Sequence, residues 1–327
     1  MDPVAFERDR LALFARHGLE GTPRWITDRH GRRSYLITRG QGARPTLLLH
    51  GGLSQAGEWA LIAGQLPGPV VLPDRPGCGL SYRIDYRRAD LRSSAVAWMT
   101  HLVNELGAEQ VDLVGNSMGG YFSLAFALAH PERVRRLVLV GAPMGLARDV
   151  PLFVRLWGTP GIGHLIGRLP VKDPETARKR IWPELVADPE AVPIEIIEQD
   201  LAAASLPGIA RCSYSLLRAG TTLRGIHPRH LLGDEISRLH APTLFLWGRA
   251  DRFTPSQVGE KVAARMRSAR FEPVDDAGHM PHIDRPGYVA EATTQFLHTQ
   301  PTGNPSQAHR PAHATEGART PDPSASS

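Results

Sequence analysis

The sequence predicts an α/β fold built on a mostly parallel central sheet that is flanked by helices. Short apolar runs alternate with helix-length segments along most of the chain, which is the pattern of βαβ units. Some runs, such as Leu47–Leu49 and Leu137–Val140, are apolar at every position, as strands buried on both faces are. The chain has 327 residues, 42% hydrophobic and 22% charged, and is therefore long enough to bury such a core without disulfides or structural metal.

The elements follow in order along the chain. Trp25–Thr27 and Ser34–Thr38 flank a turn and predict an antiparallel hairpin at the edge of the sheet. The strands predicted after it are Thr46–His50, Val70–Pro73, Val111–Val114, Val134–Val140, Thr243–Trp247 and Arg270–Val274. The helices predicted between them are Gln55–Leu66, Asp90–Leu106, Met118–His130, Pro255–Met266 and Pro286–Leu297.

The alternation stops between Met144 and His240, where repeated prolines break a helical pattern that contains no obvious strand. We expect this insertion to form a cap over the carboxyl edge of the sheet, where ligands bind in open α/β sheets. The predicted division is a first core part over 1–143, a helical cap over 144–240 and a second core part over 241–299. The tail over 300–327 contains no large apolar residue, so we expect it to be disordered.

Charge and cysteine usage exclude several classes of function. The net charge is +5, but the basic residues are scattered among nearly as many acids, and only 6% of residues are aromatic. Neither a basic stripe nor a base-stacking platform is present, so no nucleic-acid partner is expected. The N-terminus is charged, and no apolar stretch is long enough to span a membrane. With two cysteines and no metal-ligand or redox spacing, we expect a soluble cytoplasmic protein without membrane association.

The clearest chemical motif is Gly115-Asn116-Ser117-Met118-Gly119, directly between a predicted strand and a predicted helix. A nucleophile at the tip of so tight a turn needs small residues two positions before and after it, which Gly115 and Gly119 supply. Ser117 would project from the turn, and the backbone N–H of Met118 would face a developing oxyanion at the helix N-terminus. The motif predicts a nucleophilic serine.

A serine hydroxyl needs a base to take its proton, and the base needs an acid to orient it. Asp251 follows the predicted strand Thr243–Trp247, and His279 follows the strand that ends at Val274. Both positions therefore leave the same sheet edge as Ser117, in the order serine, acid, histidine. Asp275 and Asp276 are alternatives to Asp251 as the acid, and His282 is an alternative to His279 as the base.

A second oxyanion donor is expected in the loop after the first parallel strand, His50-Gly51-Gly52-Leu53. The glycines allow a backbone N–H to turn inward, so Gly52, or else Leu53, would donate beside Met118. His50 lies at the sheet edge before two glycines, and we interpret it as a structural residue.

Together these motifs resemble the α/β-hydrolase superfamily, in its capped branch, over about residues 25–298. The loop Asp74–Ser81 also resembles the family's D-x-P-G-x-G-x-S segment, which makes Cys78 a packing residue. The resemblance implies Ser117 as nucleophile, Asp251 as acid, His279 as base, and Gly52 with Met118 as the oxyanion hole. It also implies a small-molecule substrate under the cap, and no metal or organic cofactor.

Departures from the family patterns narrow the activity. Ser117 replaces the aspartate nucleophile of epoxide hydrolases and haloalkane dehalogenases. The elbow Asn116–Gly120 resembles that of carbon–carbon bond hydrolases, but Met280 stands where those enzymes usually have tryptophan. We therefore expect a carboxylesterase-like hydrolase that cleaves a small or medium carboxylic ester through an acyl-enzyme. The alternatives are a carbon–carbon bond hydrolase or a perhydrolase or haloperoxidase-like enzyme with the same triad, and a non-catalytic ligand-binding homologue.

Overall fold

A computed structural model describes residues 1–166, 171 and 173–299. Met1–Leu297 form one compact unit, and the predicted disordered tail over 300–327 lies outside the described residues. The strands are β1 (Thr22–Thr27), β2 (Arg33–Arg39), β3 (Thr46–Leu49), β4 (Val70–Pro73), β5 (Val111–Asn116), β6 (Val134–Val140), β7 (Thr221–Thr222), β8 (Gly225–Ile226), β9 (Thr243–Gly248) and β10 (Ala269–Val274).

Within the described residues, eight of these strands form one sheet in the order β1-β2-β4-β3-β5-β6-β9-β10. The strands from β4 to β10 in that order are parallel, whereas β1 pairs with β2, and β2 with β4, in the antiparallel direction. The predicted α/β fold with its edge hairpin is therefore confirmed.

Helices cover both faces of the sheet. They are α1 (Pro3–Arg16), α2 (Ala60–Ala63), α3 (Leu91–Glu105), α4 (Ser117–Ala129), α5 (Leu152–Trp157), α6 (Ile162–Ile166), α7 (Pro174–Arg180), α8 (Ile194–Ala204), α9 (Ile209–Gly220), α10 (Ser256–Ala263), α11 (Pro281–Asp284) and α12 (Pro286–His298). Apolar residues of α3, α4 and α10 pack on one face, and those of α1, α2 and α12 pack on the other. Because successive strand residues point to opposite faces, Leu47 and Leu49 enter the first cluster and Leu48 enters the second.

Two helical regions differ from the prediction. The predicted helix Gln55–Leu66 is a 3-10 turn, Ala56–Trp59, followed by the single turn α2. The Gln55 side chain accepts a hydrogen bond from the Gly57 N–H at 2.6 Å, and glycines at 57 and 64 weaken a longer helix. The helix α1 was not predicted; it begins where the Asp2 carboxylate caps the Ala5 N–H and Pro3 occupies the first turn.

The segment between β6 and β9 contains α5 to α9, as its helical pattern predicts. The expectation that it has no strand is wrong in one respect, because β7 and β8 form a two-residue antiparallel pair around Leu223 and Arg224. Side chains of this segment, including Trp182 and Ile197, join the core cluster on the same face as Leu48. Its division from the core at 144 and 240 stays a prediction.

Strand register determines where the loops meet. Leu49 lies beside Gly115, and Asn116 beside Val140. Val140 pairs in turn with Leu246. Parallel strands end at the same edge, so the loops after β3, β5, β9 and β10 leave the sheet close together. These are the loops that carry the oxyanion candidates, Ser117, Asp251 and His279.

Candidate active site

Ser117 is the first residue of α4 and follows β5 directly. Its φ is 49°, in the left-handed region that non-glycine residues rarely adopt. A Cβ at Gly119 would clash with the carbonyl oxygen of Leu49, and a Cβ at Gly115 would lie 2.7 Å from the carbonyl oxygen of Gly119. The two glycines therefore permit the strained turn on which the predicted nucleophile stands.

Asp251 and His279 are brought together as predicted. Nδ1 of His279 lies 3.0 Å from Oδ2 and 3.2 Å from Oδ1 of Asp251, and both side chains are buried. The carboxylate also accepts the backbone N–H groups of Ala142, Phe253 and Thr254 at 3.0, 2.8 and 3.2 Å. These three donors hold the carboxyl group in place beside His279, so that Nδ1 carries the imidazole proton and the lone pair of Nε2 is left to accept one.

The alternative acids are placed elsewhere. Asp275 is exposed and pairs with Arg249, and Asp276 is exposed and pairs with Arg285 at 3.1 Å. Neither contributes to the hydrogen bonds on His279 in the described structure.

The elbow and the histidine loop are tied through Asn116. Its Nδ2 donates to the carbonyl oxygens of Val140 and His279 at 2.8 and 3.0 Å. In the described part of the chain, Nε2 of His279 is buried and has no hydrogen-bond partner, so no bond to the Ser117 hydroxyl is formed. Such bonds are often long without substrate, and the anchored backbone keeps the two residues as neighbours.

The two oxyanion candidates also meet. A Cβ built at Gly52 would lie 3.7 Å from the Cβ of Met118. Leu53, the alternative donor, has a φ of 62°, so the chain turns sharply directly after Gly52. The preceding N–H, that of Gly51, is bound at 2.9 Å by Oε1 of Glu58, which closes this oxyanion loop, residues 50–54, onto the 3-10 turn that follows it.

His50 has structural hydrogen bonds, as interpreted from the sequence. Its Nε2 accepts the Arg75 N–H at 3.0 Å, and its Nδ1 donates to the carbonyl oxygen of Gly51 at 2.9 Å. Burial, with the nearby Arg75 guanidinium, lowers the pKa of His50 well below its usual range. His282, the alternative base, is stacked on Trp59 at 4.2 Å, and burial lowers its pKa to about 3.

The sequence analysis did not assign three residues at or near the site: Phe253, Phe153 and Asp284. The Phe253 ring stacks on the His279 imidazole, with centroids 4.0 Å apart and planes 15° apart. Phe153 of α5 meets Phe253 edge-on at 5.9 Å. Asp284 accepts the N–H groups of Gly278 at 2.8 Å and Ala187 at 2.9 Å. The position of Phe253, two residues after Asp251, is the only signal in the sequence that could have suggested its contact.

Within residues 1–166, 171 and 173–299, no group of three or more His, Cys, Asp or Glu side chains is arranged to hold a metal ion. Nor does any helix in that part of the chain have the length and apolar character to cross a membrane. Cys78 and Cys212 are both free and buried. Burial raises the pKa of the Cys78 thiol to about 11, so this cysteine is protonated and a poor nucleophile at neutral pH.

Comparisons with known proteins show the family to which the chain belongs. Residues 46–292 match the model of the alpha/beta hydrolase family. The chain is 31% identical over 275 residues to a 2-hydroxy-6-oxononadienedioate/2-hydroxy-6-oxononatrienedioate hydrolase of Cupriavidus pinatubonensis, covering 79% of this chain and 89% of that protein.

Two solved structures are also similar. One is the carboxylesterase CesB of Bacillus subtilis, with a TM-score of 0.69 and 19% identity over 90% of this chain and 98% of that chain. The other is a thermophilic esterase of Thermogutta terrifontis, with a TM-score of 0.65 and 26% identity over 84% of this chain and 98% of that chain. The family match over residues 46–292 covers the strands and loops that carry the site, and the protein is therefore a hydrolase that belongs to the α/β-hydrolase family.

Proposed function

We propose that the protein is a serine hydrolase in which Ser117, His279 and Asp251 form the catalytic triad. The observation that carries the proposal is the Asp251–His279 hydrogen bond, which leaves a buried Nε2 without a partner in the described structure beside the strained Ser117 elbow. This arrangement supplies a base of fixed orientation next to a half-buried serine.

In the proposed reaction, Nε2 of His279 takes the proton of the Ser117 hydroxyl while its oxygen attacks a substrate carbonyl carbon. The N–H of Met118 and that of Gly52 or Leu53 hold the resulting oxyanion. The positive end of the α4 dipole lies at the same place. His279 then gives the proton to the leaving group, which departs and leaves the acyl-enzyme. In the second half of the reaction, His279 takes a proton from a water molecule as that water attacks the acyl carbon, and it returns this proton to the Ser117 oxygen when the acid product is released.

The first candidate substrate is a ketone cleaved at a carbon–carbon bond. The relative from Cupriavidus pinatubonensis hydrolyses a 2-hydroxy-6-oxo dienedioate, a compound whose name contains no ester or amide, so its hydrolysis must break a carbon–carbon bond. A second relative, from Pseudomonas putida, is a 2-hydroxymuconate semialdehyde hydrolase, 29% identical over 276 residues. The Asn116–Gly120 elbow also resembles that of carbon–carbon bond hydrolases.

A carboxylic ester is the second candidate, and charge near the oxyanion loop favours it. Oδ1 of Asp200, on α8, lies 3.5 Å from the Ser54 hydroxyl and from the Gln55 amide nitrogen. A dianionic substrate placed here would face this carboxyl group, and the nearby Arg75 guanidinium is already bound to the carbonyl oxygens of His50 and Gly51. A neutral ester avoids that repulsion.

We also propose that the segment over 144–240 caps the site. Support comes from the His279 loop, where the Met280 N–H donates to the Leu185 carbonyl oxygen at 2.9 Å, and Asp284 binds the Ala187 N–H. A cytoplasmic location is proposed as well, supported by the two free thiols.

The first test is intact-mass analysis after treatment with a fluorophosphonate. The wild-type protein should gain one adduct, and Ser117→Ala should gain none. Retention of the adduct in the variant would refute Ser117 as the nucleophile, and absence of labelling in the wild type would favour the non-catalytic homologue.

A second assay separates the two candidates. The loss of the conjugated 2-hydroxy-6-oxo-dienoate chromophore is followed beside the hydrolysis of a p-nitrophenyl ester chain-length series. Ser117→Ala is the control in both assays, and it should reduce turnover at least ~10³-fold. Ester turnover without loss of the dienoate would contradict the first candidate, and the opposite result would contradict the second.

A further inference from the structure

Glu58 is a buried acid that the proposed reaction does not use. It lies in the 3-10 turn Ala56–Trp59 and is 1% exposed. Its Oε1 accepts the Gly51 N–H at 2.9 Å, one residue before the oxyanion candidate Gly52. The carboxyl group therefore anchors the oxyanion loop from behind.

The second oxygen of Glu58 indicates its protonation state. In the described structure Oε2 is buried and has no hydrogen-bond partner. An ionised carboxylate with one unpaired oxygen in such a site is costly, so the neutral acid is favoured. Burial raises the pKa of Glu58 to about 8, although the Gly51 N–H and the Ser54 hydroxyl act to lower it.

The ionisable groups on the surrounding elements do not offset this effect. Asp200 of α8 raises the pKa of Glu58, and Arg75 lowers it. Four other ionisable side chains lie on the elements that pack around the turn of Glu58: His282 of α11, His50 after β3, Asp74 after β4 and Arg10 of α1. Nε2 of His282 is 3.7 Å from Oε1 of Glu58, but the low pKa of His282 keeps this histidine neutral. His50 also has a lowered pKa and is neutral for the same reason. The charge of Arg10 is paired with Asp74 at 2.8 Å.

We propose that Glu58 is a positioning residue that holds the oxyanion loop as a neutral carboxylic acid and slows the reaction when it loses its proton. This inference rests on the proposed function, because it requires an oxyanion at Gly52 and Met118. Two consequences follow from the geometry. The hydrogen bond to Gly51 fixes the direction of the next N–H groups, and a negative charge at Glu58 opposes the negative charge that develops on the substrate oxygen.

The test measures the rate of fluorophosphonate labelling between pH 6 and 10. For the wild type, we expect the second-order rate constant to fall about tenfold above pH 8, as expected for a like charge close to the oxyanion. Glu58→Gln keeps an oxygen that can accept from Gly51 but cannot ionise, so it should react well at pH 7 and lose this alkaline fall. Glu58→Ala removes the anchor. It should lower the maximal rate constant of labelling about tenfold, with little change in the fluorophosphonate concentration that gives half of that maximal rate.

Two further variants complete the design. Glu132→Gln, an exposed acid at the start of the turn before β6, is the matched control and should keep the wild-type profile. Burial raises the pKa of Asp200 to about 6, so Asp200 is ionised at pH 8 and repels a charge on Glu58. Asp200→Asn should therefore move the alkaline fall to lower pH.

The outcomes are distinct. An alkaline fall in Glu58→Gln identical to that of the wild type would overturn the inference. If Glu58→Gln does not fold, as judged by its thermal melt, the Asp200→Asn variant decides. An alkaline fall at the same pH in Asp200→Asn as in the wild type would then overturn the inference. Absence of labelling of the wild type at every pH would contradict the proposed function, and this inference with it.

Discussion

Replacement of Phe253 by leucine tests whether the stacked ring assists the base. The Phe253 ring lies nearly parallel to the His279 imidazole, with the ring centroids 4.0 Å apart. This distance is within the range in which an aromatic face attracts a cation. The imidazolium forms only after His279 takes the Ser117 proton, so the attraction is stronger in the transition state than before the reaction.

The magnitude follows from burial and distance. Cation–π contacts contribute about 0.5 kcal/mol when exposed and about 2 kcal/mol when desolvated. His279 is buried and Phe253 is half-buried, which places this contact near ~1 kcal/mol. Because ~1.36 kcal/mol is tenfold in rate, Phe253→Leu should lower the maximal rate about fivefold.

The rate constant of fluorophosphonate labelling, compared between Phe253→Leu and the wild type, measures this effect. Phe153→Leu is the matched control, because Phe153 contacts Phe253 edge-on and belongs to α5. It should leave the labelling rate constant close to that of the wild type. If Phe253→Leu is labelled as fast as the wild type, the ring does not stabilise the imidazolium and the electrostatic reasoning is wrong.

Three other predictions concern single contacts. Asp251→Asn should lower turnover by about 10³-fold or more, because an amide cannot fix the His279 proton on Nδ1; wild-type ester or dienoate turnover would contradict this assignment. Asp284→Asn weakens the bonds to Gly278 and Ala187, so hydrogen exchange of the 185–188 segment should become measurably faster. Unchanged exchange would show that Asp284 does not hold these two loops together. Arg10→Met leaves the fully buried Asp74 without its cation and should lower the free energy of unfolding in urea by about 3–5 kcal/mol, while Arg8→Met, at an exposed position, should change it little.

Sequence reasoning succeeded where the signal was local. The apolar runs predicted every parallel strand within about two residues of its ends, because strands buried on both faces must be apolar throughout. The Gly115–Gly119 motif located the elbow, since only small residues fit between α4 and the carbonyl group of Leu49. The order of Ser117, Asp251 and His279 identified three loops that the sheet register then brings to one edge.

Sequence reasoning failed where the local conformation depends on contacts that the sequence pattern does not show. The Gln55–Leu66 segment has a helical apolar pattern, yet Gln55 turns back onto Gly57, and the chain forms a 3-10 turn that places Glu58 under Gly51. The helix α1 has local start signals in Asp2 and Pro3 that the sequence analysis did not use, but its buried Arg10 contacts Asp74, which lies sixty-four residues later. Such pairs leave no periodic signal, because the partners are brought together only by the completed sheet.

The acidic side chains around the site show why residue type alone cannot assign a role. Asp251 accepts three backbone N–H groups and a histidine, Asp74 pairs with a guanidinium, and Asp284 accepts N–H groups from two loops. Burial raises the pKa of Asp284 in spite of these donors, and it also raises the pKa of Glu58 and of Asp200. Glu58, with a single backbone N–H donor, is neutral near pH 7 and becomes sensitive to pH. The number of donors that the fold delivers to each carboxyl group therefore separates the proposed catalytic acid from the proposed positioning residue.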